Sequence, residues 1–113
     1  MKLTEISYGE QPPVDSYGPG FFRIAGQIHN GTLILSAEGL APFDGNYAAL
    51  SPQSFDILLI GTGKDIAPLP ADARKSLSER GIAFELMATP AAARTYNVLL
   101  SEGRRIAVIL TAI

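Results

Sequence analysis

The chain has 113 residues, of which 47% are hydrophobic and 18% are charged, and its net charge is -2. This is the composition of one globular domain, and it excludes an intrinsically disordered protein. Nine scattered Lys and Arg residues argue against a nucleic-acid-binding domain, and the absence of cysteine excludes disulfides, thiolate metal sites and thiol nucleophiles.

We expect the protein to be cytoplasmic and not inserted in a membrane. The start, Met1 to Ile6, contains Glu5 and lacks the apolar core of a signal peptide. No apolar run reaches the length of about 20 residues that a membrane-spanning helix needs. No internal repeat interrupts the sequence, so residues 1–113 are interpreted as a single domain.

The N-terminal segment is rich in residues that interrupt regular structure: Pro12, Pro13, Gly18, Pro19 and Gly20. This density of prolines and glycines precludes a helix. It predicts an extended lead-in that crosses the surface, held there by Tyr8 and Tyr17.

A β-hairpin is predicted over residues 22–36. Apolar and polar side chains alternate over residues 22–29, as in a half-exposed strand. Asn30-Gly31 favours a two-residue type I′ turn, after which Thr32 to Ser36 returns as the partner strand. In this register Ile28 faces Leu33 and Gly26 faces Leu35.

A structured loop is expected between residues 38 and 55, with a short strand within residues 38–42 and a brief helical turn at residues 51–54. The stretch Asp56-Ile-Leu-Leu-Ile-Gly-Thr-Gly63 follows. Its four consecutive apolar residues predict a central parallel strand that is buried on both faces. Two glycines then allow the chain to turn sharply.

The C-terminal half predicts a β-α-β-α-β unit. A helix over residues 70–80 stops at Gly81, and residues 82–87 form the second strand. Thr89 is expected to cap a second helix with Pro90 in its first turn. The apolar stripe of that helix is Ala92, Tyr96, Leu99 and Leu100, and Gly103 ends it before a third strand over residues 104–110. The fold class is therefore α/β, with a mixed central sheet, two main helices and a hairpin that forms a small extra sheet.

Several segments together resemble a known family. They are Gly26 with the hairpin, Asp56 to Gly63, Gly81-Ile82, Thr89-Pro-Ala-Ala-Ala-Arg-Thr-Tyr-Asn97 and Leu99-Leu-Ser-Glu-Gly-Arg-Arg105. The chain resembles the Mth-type domains of unknown function, a family that includes a mitochondrial complex I assembly factor and the adipogenesis-associated Mth domain protein. Nearly the whole chain is covered.

The resemblance implies a mixed sheet with helices and an extra small sheet, and it implies an assembly partner more readily than a reaction. Two positions depart from the family pattern. Ala88 stands where an acid often precedes the threonine, and Ala93 stands where a cysteine is common. Chemistry that relies on those two groups is absent from this chain.

One candidate ligand site follows from the order of the strands. In open α/β sheets, ligands bind outside the carboxyl ends of parallel strands. The turn Gly61-Thr62-Gly63 and the start of the second helix at Thr89 are therefore expected to lie together, offering two hydroxyls and free N–H groups to an anion. The alternative is that Thr89 only caps its helix and the glycines only turn the chain. The spacing of a nucleotide-binding P-loop is missing.

Three residues of the second helix complete the candidate set. Asn97 is unfavourable inside a helix by roughly 0.7 kcal/mol relative to alanine, so a compensating contact is expected. A buried hydrogen bond to a loop backbone is the simpler interpretation. A ligand contact shared with Arg94 and Tyr96 is the other.

No catalytic base, cofactor site or metal site is predicted, because the only histidine, His29, has no cysteine or second base at a suggestive spacing. A non-enzymatic interaction or assembly module, with a protein partner and no nucleic acid, is the preferred function. The alternative is a protein that binds a small ligand or anion, or an unidentified enzyme, using the strand-end crevice.

Overall fold

The structure, a computed structural model, describes residues 11–113. The beginning of the predicted lead-in, with Tyr8, lies outside the described residues. The strands are β1 (Val14–Gly18), β2 (Phe21–Ile24), β3 (Gln27–Asn30), β4 (Leu33–Ser36), β5 (Gly39–Pro42), β6 (Ile57–Gly61), β7 (Phe84–Met87) and β8 (Ile106–Leu110). The helices are α1 (Ala71–Glu79) and α2 (Thr89–Ser101), with short 3-10 turns at Tyr47–Ala49 and Pro52–Ser54.

The strands form two sheets. The small sheet has the order β1-β2-β3 and is antiparallel throughout. The large sheet has five strands in the order β5-β4-β8-β6-β7, and β6 runs parallel to both β7 and β8. The predicted α/β fold with a mixed sheet, two main helices and a small extra sheet is confirmed.

The predicted hairpin register over residues 22–36 is wrong. β2 turns back on β3 instead, so that Ile24 pairs with Gln27, and β4 pairs with β5 and β8 in the other sheet. Because of this earlier turn, Ile24 is buried while Ile28 lies on the opposite face and is 46% exposed. Asn30-Gly31 joins the two sheets rather than two strands of one hairpin.

The backbone explains which turn forms. Ala25 and Gly26 have φ angles of 52° and 78°, the positive values that a type I′ turn needs at both positions. The carboxylate of Asp15 accepts a hydrogen bond from Gly26 N–H, which fastens this turn to β1. The N–H of Gly31 donates instead to the carbonyl of Gly20 at 2.9 Å.

The large sheet is buried on both faces. Leu59 and Val108 face a core that α2 and the small sheet complete. Leu58, Ile60 and Ile109 face a second core under α1 and the 43–55 loop. The burial predicted for the stretch 56–63 is therefore confirmed, although β8, all of whose residues are buried, is the middle strand of the sheet.

The helix ends follow the glycines. Gly81 and Gly103 have φ angles of 68° and 78°, in the left-handed region that ends a helix. At the start of α2, however, the residue that caps the helix is Ala88, and no side chain caps it. The prediction that Thr89 is the N-cap is wrong, because its hydroxyl is engaged elsewhere.

The described part of the lead-in is more regular than predicted. Residues 14–18 form β1, which is extended but belongs to a sheet. Tyr17 is 41% exposed and contributes little to holding it. The segment is held by its pairing with β2 and by contacts from α2.

Candidate functional site

The carboxyl ends of β6 and β7 meet directly. The N–H of Thr62 donates to the carbonyl of Met87 at 2.9 Å, and the N–H of Thr89 donates to the carbonyl of Gly63 at 2.7 Å. The N–H of Thr111, just after β8, donates to the carbonyl of Gly61 at 3.1 Å. We call Gly61, Thr62, Gly63, Thr89 and Thr111 the strand-end junction.

The hydroxyl of Thr89 is the centre of this junction. It accepts a hydrogen bond from the N–H of Gly63 and donates one to the carbonyl of Thr111, each at 2.9 Å. Thr89 is completely buried. Both partners are backbone groups, one following β6 and the other following β8, so this hydroxyl has a structural task.

Gly61 allows α2 to approach β6 this closely. A β-carbon at Gly61 would lie 2.9 Å from both the α-carbon and the hydroxyl oxygen of Thr89, and 3.1 Å from the β-carbon of Ala92. These distances are shorter than non-bonded atoms tolerate. The space between the strand and the helix is therefore filled by backbone and by the threonine.

The hydroxyl of Thr62 has a comparable set of partners. It lies 2.9 Å from the carbonyl of Asp65 and 3.3 Å from that of Met87, and it accepts a hydrogen bond from the N–H of Ala67 at 2.9 Å. These contacts fold the following loop back on the strand end. The two predicted hydroxyls thus do lie at neighbouring strand ends, and each is already bonded to backbone.

Tyr96 and Asn97 lie in a different place from the junction. The phenol of Tyr96 donates to the carbonyl of Pro12 at 2.7 Å. The amide of Asn97 bonds the backbone N–H and carbonyl of Val14, each at 2.9 Å. Asn97 makes the backbone contact predicted for it, but its partner Val14 belongs to the strand β1 and not to a loop. Tyr96 and Asn97 both fasten the N-terminal segment to α2, and Arg94 is exposed.

Burial affects the acidity of Tyr96. Removal of the phenol from water disfavours its anion and raises the pKa of Tyr96 from 10.0 to about 12, partly opposed by a hydrogen bond from the Gln11 side chain. The phenol therefore stays protonated and remains a donor to Pro12 over the physiological range. Burial also raises the pKa of Tyr47.

The sequence did not indicate a cavity of about 290 Å³ that opens beside β4 and β5, under the 43–55 loop. The guanidinium of Arg80 holds this loop, since it donates to the carbonyls of Tyr47 and Leu50. In the sequence, Arg80 is only the last residue of the helix predicted over residues 70–80. The sequence carries two acids, Glu38 and Asp44, on either side of the segment that forms β5, but no periodicity relates them to a cavity.

Within residues 11–113, no group of three or more His, Asp or Glu side chains is placed to hold a metal ion. No helix in this range is long and apolar enough to cross a membrane.

Comparison with known proteins places the chain among relatives of undetermined activity. The model of the family described as "Protein of unknown function (DUF498/DUF598)" matches residues 14–111. An uncharacterised protein of Rhodobacter capsulatus is 50% identical over 97% of this chain and 92% of its own length.

A second relative has a named role. NADH dehydrogenase [ubiquinone] 1 alpha subcomplex assembly factor 3 of Mus musculus is 27% identical over 92% of this chain. The match spans only 62% of the length of that assembly factor.

Solved structures share the fold. One described as an outer membrane protein from Bartonella henselae has a TM-score of 0.81 at 34% identity, over 94% of this chain and 98% of the other. The solution structure of an Mth938-like domain from Bordetella pertussis has a TM-score of 0.73 at 25% identity, over 99% of this chain and 92% of the other.

Proposed function

We propose that this chain, which belongs to the family of proteins of unknown function DUF498/DUF598, is a non-enzymatic module that binds other proteins. Its role would be of the assembly-factor kind. The observation that carries the proposal is the alignment with the NADH dehydrogenase assembly factor of Mus musculus over 92% of this chain. The aligned part is the folded domain itself, so the domain is the part to which a partner-binding role would transfer.

The hydrogen bonds at the strand-end junction support this role over catalysis. An α/β enzyme uses the carboxyl ends of its strands to present polar groups to a substrate. Here the hydroxyls of Thr62 and Thr89 are bonded to backbone groups. A catalytic hydroxyl needs a base as its hydrogen-bond partner, whereas the partners of these two hydroxyls are the backbone groups of Gly63, Asp65, Ala67, Met87 and Thr111.

Affinity purification from the native host tests the proposal. The tagged chain is expressed at its natural level, cross-linked in cells and purified under denaturing conditions. We expect a small, reproducible set of proteins to be identified by mass spectrometry, above the background of a tagged protein of similar size. Recovery of background proteins alone, across several growth conditions, would contradict the proposal.

The alternative function is the binding of a small ligand or anion at Gly61, Thr62, Gly63 and Thr89. The observation that supports it is the convergence of these residues at two adjacent strand ends, beside the start of α2. The donors there must exchange their backbone partners for the ligand, which weakens binding. Arg94, Tyr96 and Asn97 belong to this prediction as well, but Tyr96 and Asn97 bond the N-terminal segment. A titration with sulfate tests this alternative.

A further inference from the structure

The strand β7 forms one edge of the large sheet. Within residues 11–113 it pairs with β6 alone, and the order β5-β4-β8-β6-β7 ends with it. Leu58 of β6 is level with Phe84, and its N–H donates to the carbonyl of Ala83 at 2.9 Å. Because successive residues of a strand direct their peptide groups to alternate sides, the N–H and carbonyl groups of Phe84 and Leu86 point away from β6. They are the outward peptide groups of this edge.

The side chains along this edge are apolar on both faces of the sheet. Phe84 and Leu86 pack against the core under α1, and Met87 packs against the core that α2 covers. These three side chains are half-buried, while Glu85 between them is exposed. A strand laid along β7 would complete the burial of the apolar side chains and bond the outward peptide groups at the same time.

The other sheet edges are less suited to the addition of a strand. On β1, the N–H and carbonyl of Val14 already bond the side chain of Asn97. The edge strand β5 contains Pro42, which has no N–H to donate. In β3 (Gln27–Asn30), three of the four side chains are polar. The edge at β7 is therefore the one that combines outward peptide groups with apolar side chains.

Glu85 disfavours a second copy of this chain as the added strand. If two copies paired along β7 in antiparallel orientation with all four residues matched, Phe84 of one copy would lie opposite Leu86 of the other. Glu85 of each copy would then lie directly opposite Glu85 of the other, where like charges are destabilising. A basic residue at that position would instead be favoured.

We propose that β7 is the site at which an extended segment of the protein partner adds to the large sheet as a further strand. The segment carries a lysine or arginine opposite Glu85, with an apolar residue before it and another after it. Since side chains alternate between the faces of a sheet, the apolar pair covers Phe84 and Leu86 while the basic residue lies on the face of Glu85. The inference rests on the proposed protein-binding function and adds to it the surface used and the kind of segment bound.

A titration with the peptide acetyl-Thr-Val-Lys-Val-Thr-amide tests the inference without a partner. Its symmetrical sequence places the lysine opposite Glu85 and the valines opposite Phe84 and Leu86. Proton–nitrogen NMR spectra of the full chain are recorded with increasing peptide. We expect the amides of Phe84 and Leu86 to shift together, with a dissociation constant in the millimolar range, and their hydrogen exchange to slow in the complex.

Two altered peptides separate backbone pairing from unspecific contact. Methylation of both valine nitrogens keeps the side chains but removes the N–H donors that face β7, and it should weaken binding at least about tenfold. Glutamate in place of the lysine should weaken binding about fivefold. Equal affinity of either altered peptide, or the absence of localised shifts at about 10 mM of the lysine peptide, would overturn the inference.

Variants of the protein provide the second arm. Glu85→Lys changes an exposed side chain and should reverse the preference, so that the glutamate peptide binds more tightly than the lysine peptide. Glu38→Lys makes the same change in charge at the exposed turn between β4 and β5, and should leave the preference as in wild type. In sedimentation we expect the wild-type chain to be a monomer. A dimer that protects the amides of Phe84 and Leu86 from exchange would assign the edge to a second copy and overturn the inference.

The same variants separate this inference from the proposed function. If cross-linking recovers a specific partner with the wild-type chain and equally with Glu85→Lys, the protein-binding function stands and the inference about β7 is refuted. If no specific partner is recovered while the peptides bind as expected, the protein-binding function fails and β7 remains a site for strand addition. Loss of the partner in Glu85→Lys but not in Glu38→Lys supports both.

Discussion

The side-chain amide of Asn97 holds the backbone of Val14 at both of its polar groups. It accepts the N–H and donates to the carbonyl, each at 2.9 Å. An asparagine placed in this way acts as the strand partner that β1 lacks on that side, and it connects α2 to the small sheet. The side chain of Val14 is buried in the same core as Tyr96.

Replacement of Asn97 by alanine should destabilise the protein by about 1–3 kcal/mol, although alanine favours a helix more than asparagine does. The reason is that the N–H and carbonyl of Val14 lose their partners in a partly buried place. Urea unfolding gives the free energy. Val98→Ala on the same helix is the control, since Val98 is 54% exposed and should change stability little. An Asn97→Ala protein as stable as wild type would show that the two bonds contribute nothing.

Stability at high pH should depend on Tyr96. Its pKa is raised from 10.0 to about 12 in the folded protein, so below a pH of about 10 both states hold the proton and the stabilisation is complete. As the pH rises from about 10 to 12, the unfolded state loses the proton first and the folded state loses stability, by up to about 2–3 kcal/mol.

Tyr96→Phe is the matched variant for this pH dependence. At neutral pH it should be less stable than wild type by about 0.5–1.5 kcal/mol, because the hydrogen bond to Pro12 is lost. Its disadvantage should shrink and then reverse between pH about 10 and 12. Urea unfolding of both proteins across this range measures the difference, and other titrating groups cancel. Parallel pH curves would contradict the role assigned to burial.

Thr89 offers a test of the junction that separates shape from hydrogen bonding. Thr89→Val keeps the size of the side chain but leaves the N–H of Gly63 and the carbonyl of Thr111 without their partner. We expect a loss of about 2–4 kcal/mol. Thr89→Ser keeps the hydroxyl and should cost less than Thr89→Val. Thermal and urea unfolding compare the two variants, and the opposite order would mean that the methyl group matters more than the hydroxyl.

Leu58 and Leu59 test burial on the two faces of the sheet separately. They lie in β6, point to opposite cores and are 0% and 1% exposed. Each change to alanine should destabilise the protein by about 2–5 kcal/mol. Ile66→Ala is the control, because Ile66 is 64% exposed. A loss below about 1 kcal/mol at either leucine in urea unfolding would show that the core on that face repacks around the smaller side chain or is exposed to water.

The sequence predicts the parallel part of this fold well because its signals are local and do not compete. The apolar run at β6, the glycine ends of the helices and the stripe on α2 each favour one structure. The hairpin register failed because the turn forms at Ala25-Gly26, where alanine adopts a positive φ angle that residues with a β-carbon rarely adopt, whereas Asn30-Gly31 carries the favoured turn sequence. The choice depends on Asp15, whose bond to Gly26 N–H is a contact across the small sheet.

The candidate site was predictable in part for a related reason. The crossover rule for parallel strands predicts that Thr62 and Thr89 lie close together. It does not predict which groups their hydroxyls bond. The hydrogen bonds of Thr89 to Gly63 and Thr111 can be predicted only if it is known that β8 lies beside β6. The cavity under the 43–55 loop depends on Arg80 reaching Tyr47 from α1, a contact with no periodic signal in the sequence.

A titration with sulfate at the junction tests the alternative function. An anion-binding junction would show joint amide shifts at Thr62, Gly63, Thr89 and Ala91, while the distant small sheet stays unchanged. We expect no such joint shift, because the N–H groups of Thr62, Gly63 and Thr89 already donate at 2.9, 2.9 and 2.7 Å.

The electrostatic attraction for an anion at the junction is small compared with the cost of opening the backbone hydrogen bonds that the anion must replace. A helix start with one nearby cation, Lys64 or Arg94, provides roughly 1–2 kcal/mol before desolvation. Each backbone bond that opens leaves a carbonyl or N–H unsatisfied at a cost of about 1–3 kcal/mol. Saturable shifts confined to these amides at millimolar sulfate, and lost in Thr89→Val, would therefore establish the alternative function. Shifts that grow linearly with salt over the whole surface would contradict the alternative function and leave the junction a structural one.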